Sequence, residues 1–181
     1  SAIVPRLGLA GRKRLLDMGG ATGAWSAAFL EQNPELTAVV LDRPGTRESA
    51  EAFIASRGFS GRLSFHGCDF LTDPLPSGFD VVWISQVLHI FGPEKVLCAL
   101  RGAFGSLERG GLLLVHDIFS GPDGPLFPAL FALNMLTHTE EGRTWKDHEL
   151  LALMREAGFT DVRRLSLELS GGRGILAGVK A

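Results

Sequence analysis

The sequence predicts an α/β fold in which a mostly parallel sheet is covered by helices on both faces. Three observations carry that prediction. Apolar strand-like runs alternate with helical patterns five times along the chain, the order that builds a parallel sheet between two helical layers. The first strand-like run leads into a glycine-rich turn, Gly19-Gly20-Ala21-Thr22-Gly23. The last two strand-like runs are joined by Ser170-Gly171-Gly172, and a glycine turn that short favours an antiparallel hairpin.

Taken in order, Lys13–Asp17 is a short apolar strand that ends on an acid. Ala24–Glu31 is alanine-rich and helical in pattern, and Asn33-Pro34 stops it. Thr37–Leu41 reads as a buried strand and again ends on an acid, Asp42. A helix is expected from about Thr46 to Ser56, closing near Gly58, and Leu63–Cys68 as a third strand. Phe79–Ser85 is the fourth strand. Pro93 suits the first turn of a helix that runs to about Leu107, with Val96, Leu97, Leu100 and Phe104 on one face. Gly110-Gly111 is expected to end that helix and to start a fifth strand, Leu112–His116. Helices at Leu126–Thr139 and Asp147–Ala157 follow, then strands at Val162–Leu169 and Gly174–Lys180. No internal repeat or low-complexity segment interrupts this order.

Length and composition narrow the function. A chain of 181 residues matches one domain, taken here as residues 1–181. Its 45% hydrophobic and 21% charged residues are those of a soluble globular protein. The net charge of -2, with no basic run, argues against a nucleic acid or an anionic membrane as partner. No apolar stretch approaches the ~20 residues of a membrane span. Cys68 and Cys98 form no CxxC pair and read as two reduced, buried thiols of a cytoplasmic protein. No pairing of His with Cys or acid has metal-ligand spacing, so no metal is expected. Neither a G-x-S-x-G elbow nor a Walker lysine is present, which removes the common hydrolase and NTPase readings.

The sharpest signal is Asp17-Met-Gly-Gly-Ala-Thr-Gly23. Glycines at 19 and 23 let the backbone turn tightly and approach a ligand closely. The helix that follows points its N-terminus at that ligand, at the carboxyl end of the strands where open sheets bind. Asp42 closes the second strand, where a carboxylate can accept hydrogen bonds from two ribose hydroxyls. The G-x-G-x-x-G spacing of a dinucleotide site is missing, because Ala21 interrupts it.

D-x-G-G-x-T-G after a first strand resembles motif I of the class I S-adenosylmethionine-dependent methyltransferases. Gly67-Cys-Asp69-Phe70 with Asp73-Pro-Leu-Pro76 resembles a segment of their small-molecule O-methyltransferase branch, as do Gln86-Val-Leu-His89, Ala99-Leu-Arg with Gly110–Val115, Leu133-Asn-Met-Leu136 and Glu156-Ala-Gly-Phe159. The final hairpin is similar to that fold's antiparallel seventh strand. The resemblance covers essentially the whole chain and implies a Rossmann-like, three-layer sandwich around a seven-stranded, mostly parallel sheet with an antiparallel last strand. It implies S-adenosylmethionine as cofactor, held by Asp17, Gly19 and Gly23 near its methionine part, Asp42 at the ribose, and Asp69 and Phe70 around the adenine, with Ser85 and Gln86 lining the same cleft.

The implied reaction is methyl transfer to a hydroxyl of a small, aromatic molecule. Histidine suits the base that such a reaction needs. By resemblance His89 is that base and Asp117 orients it, while Asn134 and Met135 face the substrate. The remaining histidines read as a packed or partly exposed strand residue (His116), an ordinary strand residue (His66) and polar helix-region residues (His138, His148). The acid that the family places before its last helix is not matched, since the spacing from Glu140 and Glu141 to Arg143 differs. Methylation of nitrogen or carbon, which would leave His89 dispensable, and a cofactor-binding domain without activity stay open as alternatives. Relatives carry an N-terminal helical domain that dimerises. Twelve residues precede Lys13, so a trimmed upstream domain, and with it a homodimer, is expected if such a domain exists.

Overall fold

A computed structural model describes residues 3–121 and 126–181. Five parallel strands form most of one sheet: β1 (Arg14–Met18), β2 (Thr37–Asp42), β3 (Leu63–Gly67), β4 (Phe79–Ser85) and β5 (Leu107–Ile118). Two more strands, β6 (Thr160–Arg164) and β7 (Arg173–Val179), complete it in the order β3-β2-β1-β4-β5-β7-β6. β7 runs antiparallel to both of its neighbours. The sheet is therefore the mixed, seven-stranded, Rossmann-like one that the sequence predicts.

Adjacent residues of the central strands are buried on opposite faces, which is why β1 and β4 read as nearly continuous apolar runs. Leu15, Val81, Trp83, Leu114 and Ile175 pack with α1 (Ala24–Gln32), Ile54 of α2 (Arg47–Ser56) and a short 3-10 turn at Val4–Leu7. On the other face Leu16, Val82, Ile84, Leu113 and Leu176 pack with α3 (Pro93–Ser106) and α5 (Asp147–Glu156). α4 (Leu126–His138) is of a different kind. It leaves Leu126, Phe127, Leu130, Leu133 and Leu136 exposed, while Phe131 meets the ring of His89 beyond the carboxyl end of β4.

Three expectations need correction. β5 starts at Leu107 rather than Leu112, because Gly110, with φ 75°, turns inside the strand while its N–H bonds the carbonyl of Lys180. β6 ends at Arg164 rather than Leu169: Leu165, Leu167 and Leu169 turn toward the α1-side core, so an eight-residue connection, not a bare glycine turn, separates it from β7. Cys68 is buried but Cys98 is exposed on α3.

The chain runs outward from β1 through β2 to β3 and then returns to the other side of β1 as β4. The strand order thus reverses between β1 and β4, the place where sheets of this kind open a crevice at their carboxyl ends.

Candidate functional site

Two turns flank that crevice. The one after β1 carries Gly19 at φ 75° and Gly23 at φ 88°, both left-handed. A side chain is excluded at either point, since a Cβ on Gly19 would lie 2.6 Å from Val87 and one on Gly23 2.7 Å from Val40. Ala21 is also left-handed, at φ 49°, a conformation that is costly for a residue with a Cβ. Its N–H donates to Asp42 Oδ2 at 2.8 Å. Gly23 then starts α1 without a side-chain cap, so the first N–H groups of that helix remain available at the crevice.

Asp17, the penultimate residue of β1, lies beneath this turn and is fully buried. Oδ2 accepts the Ser26 hydroxyl at 2.7 Å, whereas Oδ1 has no partner among the described residues. Burial pushes this carboxyl up to about 6, against the hydrogen bonds from Ser26 that hold it down. A buried carboxylate oxygen with no donor is costly. A cationic or N–H-bearing ligand at the crevice would satisfy it. Asp42, at the end of β2, accepts from the N–H groups of Ala21 and Arg43 and from Thr46. Asp69 accepts the Leu71 N–H at 3.0 Å, and Phe70 sits edge-on to Phe91 at 5.8 Å. Gly19, Asp42, Asp69 and Phe70 line one cleft together with Arg43, Val87, Ile90 and Phe91.

The turn after β4 begins with Ser85, whose hydroxyl is 2.9 Å from His116 Nδ1 in a buried pair. Burial holds the His116 imidazole below its ordinary pKa, outweighing the nearby Asp117 charge that would raise it. Gln86 takes φ 58° and bends the chain off the strand. Its side-chain Nε2 is buried without a partner among the described residues. A single 3-10 turn, Leu88–Ile90, follows and carries His89. His89 Nδ1 lies 2.7 Å from Asp117 Oδ1, with both side chains buried. Asp117 Oδ1 also accepts the N–H of Ile118. An ionised Asp117 places the proton on Nδ1 and leaves Nε2 as the basic nitrogen.

α4 closes this end of the site. Phe131 meets the His89 ring edge-on at 4.9 Å, and Phe127 stacks on Phe131 at 6.2 Å. Met135 is buried on the same helix, while its neighbour Asn134 is exposed. Glu141 pairs with Lys95 at 2.9 Å and accepts the N–H of Gly92 at 3.4 Å. Sequence reasoning missed Phe131, although it lies four residues before Met135 on a predicted helix and so shares its face. It also missed the link from Ser85 to His116, for which strand pairing (Ser85 opposite His116) was the only signal. Among the described residues no group of three or more His, Cys, Asp and Glu side chains is placed to hold a metal ion. No described helix is long and apolar enough to cross a membrane.

Comparison with known proteins places this geometry. A family described as the O-methyltransferase domain matches residues 2–160. A 3-hydroxy-5-methyl-1-naphthoate 3-O-methyltransferase of Streptomyces sahachiroi is 35% identical over 175 residues, covering 96% of this chain and 50% of that protein. An L-tyrosine C(3)-methyltransferase of Streptomyces lavendulae is 33% identical over 162 residues, covering 87% of this chain and 44% of the relative. The crystal structure of human N-acetylserotonin methyltransferase in complex with SAM superposes with a TM-score of 0.88 at 26% identity, over 99% of this chain and 51% of that one. The chain spans about half the length of the relatives that it matches.

Proposed function

The chain belongs to the O-methyltransferase domain family, and from that premise we propose that it binds S-adenosylmethionine and transfers a methyl group to a hydroxyl of a small aromatic molecule, with His89 as general base. The observation that carries this reading is the buried His89–Asp117 pair, 2.7 Å apart, beside the glycine-turned crevice. We take residues 1–181 as one such domain.

S-adenosylmethionine, when bound, supplies a methyl group already activated as part of a sulfonium. The residues of this chain fit it. Asp17 Oδ1 is a buried acceptor in need of a donor, Asp42 ends β2 with a carboxylate facing the cleft, and Asp69 and Phe70 close its far end. What remains for the protein is to orient the acceptor and to take its proton. His89 Nε2 would take the proton of the acceptor hydroxyl as that oxygen attacks, the methyl–sulfur bond breaking as the methyl–oxygen bond forms. Asp117 keeps Nδ1 protonated and stabilises the imidazolium that results. Phe131 and Phe127 give an aromatic acceptor a wall to stack on.

The Streptomyces lavendulae relative, named for methylation at carbon, favours a second reading in which the acceptor atom is carbon. Calorimetric titration with S-adenosylmethionine, its demethylated product and NAD tests the cofactor. Binding of the first two, lost in Asp42→Ala, is expected, and binding of NAD alone would overturn the reading. Product analysis with hydroxynaphthoates and tyrosine then separates oxygen from carbon methylation. Cofactor binding without turnover of any phenol would favour an inactive binding domain.

A further inference from the structure

The turn that carries His89 is too short to hold its own position. It has three residues, follows a left-handed Gln86, and is closed by two local bonds, Ile90 N–H to Val87 and Phe91 N–H to Leu88. A second segment, 142–145, clamps it from outside. The indole Nε1 of Trp145 donates to the carbonyl of Leu88 at 3.1 Å. The N–H of Arg143 donates to the carbonyl of His89 at 2.8 Å. Gly142 comes so close that a Cβ there would lie 2.9 Å from the same His89 oxygen.

The clamp is also fastened to the strand that carries Asp117. The N–H of Ser120 donates to the carbonyl of Trp145 at 2.9 Å, and Phe119 and Trp145 form a parallel bridge. Trp145 therefore touches both carriers of the dyad, through its side chain one residue before His89 and through its backbone just beyond Asp117. Its ring is 2% exposed. The Arg143 guanidinium lies 4.7 Å over that ring and is held by Glu149 at 2.9 Å. A buried tryptophan needs a partner for its N–H, and here the partner is the backbone of the turn that carries the base.

We propose that Trp145, with Gly142 and Arg143, positions His89: the clamp fixes the turn so that Nδ1 stays on Asp117 and Nε2 faces the cleft. This rests on the reading of His89 as the base, because a base must be held to within about 0.5 Å of its working geometry and a displacement of ~1 Å costs about a hundredfold in rate.

Trp145→Phe keeps a buried ring and deletes the one N–H. Histidine side-chain 1H–15N correlation spectra of the 15N-labelled chain report which ring nitrogen carries the proton. The wild type is expected to show His89 as a single Nδ1-protonated tautomer. Trp145→Phe is expected to show mixed tautomers. Gly142→Ala presses first on the Thr139 hydroxyl and then on the same carbonyl, and is expected to do the same, so it decides the matter if Trp145→Phe does not fold. Phe159→Leu removes buried area from the same core, against Phe104, and is expected to leave the tautomer fixed. A locked Nδ1 tautomer in both clamp variants, or its equal loss in Phe159→Leu, would overturn the proposal. A His89→Ala protein that still methylates a phenol at the wild-type rate would overturn the base reading instead, and the spectra would still decide the positioning.

Discussion

His89 Nδ1 and Asp117 Oδ1 lie 2.7 Å apart although 28 positions separate them in the chain. Parallel pairing of β4 with β5 sets Ser85 against His116, so the turn that leaves β4 falls over the end of β5. The proposed base and its partner are thereby brought together by sheet register. Asp117 Oδ2 has no partner of its own among the described residues, which leaves this carboxylate committed to the imidazole and to one backbone N–H. His89→Ala is expected to lower the rate of methyl transfer by roughly 10²- to 10⁴-fold, the usual contribution of a positioned base. Asp117→Asn keeps the shape but no longer fixes the tautomer, and is expected to fall in the same range. Both variants should bind S-adenosylmethionine within about twofold of wild type by calorimetry. A His89→Ala enzyme with unchanged turnover would remove the base from the mechanism.

Asp17 makes the proposed cofactor site a cost to the fold. Its carboxyl rises from 3.8 to about 6 on burial, so the folded chain holds a proton that the unfolded chain has released between those values. Stability from this group is therefore full below about pH 4 and is lost as pH rises through about 6. The loss is on the order of 3 kcal/mol for a fully buried group. Asp17→Asn should raise the melting temperature of the ligand-free chain at pH 8 by several degrees. The gain should disappear at pH 4, where the wild-type carboxyl is already neutral. The same variant should bind S-adenosylmethionine more weakly, and wild-type affinity should itself fall as pH drops below about 6. Equal melting temperatures at pH 8 would show that Asp17 is not strained by its burial.

Much of the fold was legible because the central strands are buried on both faces and each ends at or next to a polar residue that we assign to the proposed site. Asp17, Asp42, Ser85 and Asp117 all stand at or next to strand ends in the sequence, and the sheet brings those ends to one edge. What was not legible came from contacts between elements. The start of β5 at Leu107 depends on pairing with Phe79 and on a backbone bond from Gly110 to Lys180, neither of which leaves a periodic pattern. Leu165, Leu167 and Leu169 alternate as a strand would, yet they serve the core and not the ladder. Phe131 and Trp145 are single aromatic residues with no motif or charge pattern around them to mark a role. The residues proposed for the chemistry were thus candidates in the sequence, while the contacts that hold them left no signal there.

Ala21 occupies the middle of the glycine turn at φ 49°. A left-handed residue with a Cβ costs about 1–2 kcal/mol, offset in part because glycine loses more entropy on folding. Ala21→Gly is accordingly expected to stabilise the chain by up to about 1 kcal/mol, read as a shift in urea midpoint. Its N–H still donates to Asp42, so the turn keeps its shape, and removal of the methyl group should tighten S-adenosylmethionine binding. A destabilised Ala21→Gly chain would mean that Ala21 is relaxed where it stands.

His116 opposes Asp17 in its response to acid. Burial lowers its pKa, so in the acid range the unfolded chain takes up a proton that the folded chain resists. Stability from this group is complete above the ordinary histidine value of about 6.5 and is lost as pH falls through the lower value of the folded state. The ring is stacked on Trp83 at 5.7 Å and bonded to Ser85, so an imidazolium there would lose most of its hydration to burial. His116→Gln removes the titrating group while keeping a polar partner for Ser85. It should therefore flatten the acid side of the stability curve, measured by urea melts at pH 7.5 and pH 5, and leave the Asp17 effect intact. Because Asp17→Asn removes the opposite slope, the double variant should melt with little dependence on pH over that range. If His116→Gln keeps the full acid loss of the wild type, the proton is taken up elsewhere and the Ser85–His116 pair is not its origin.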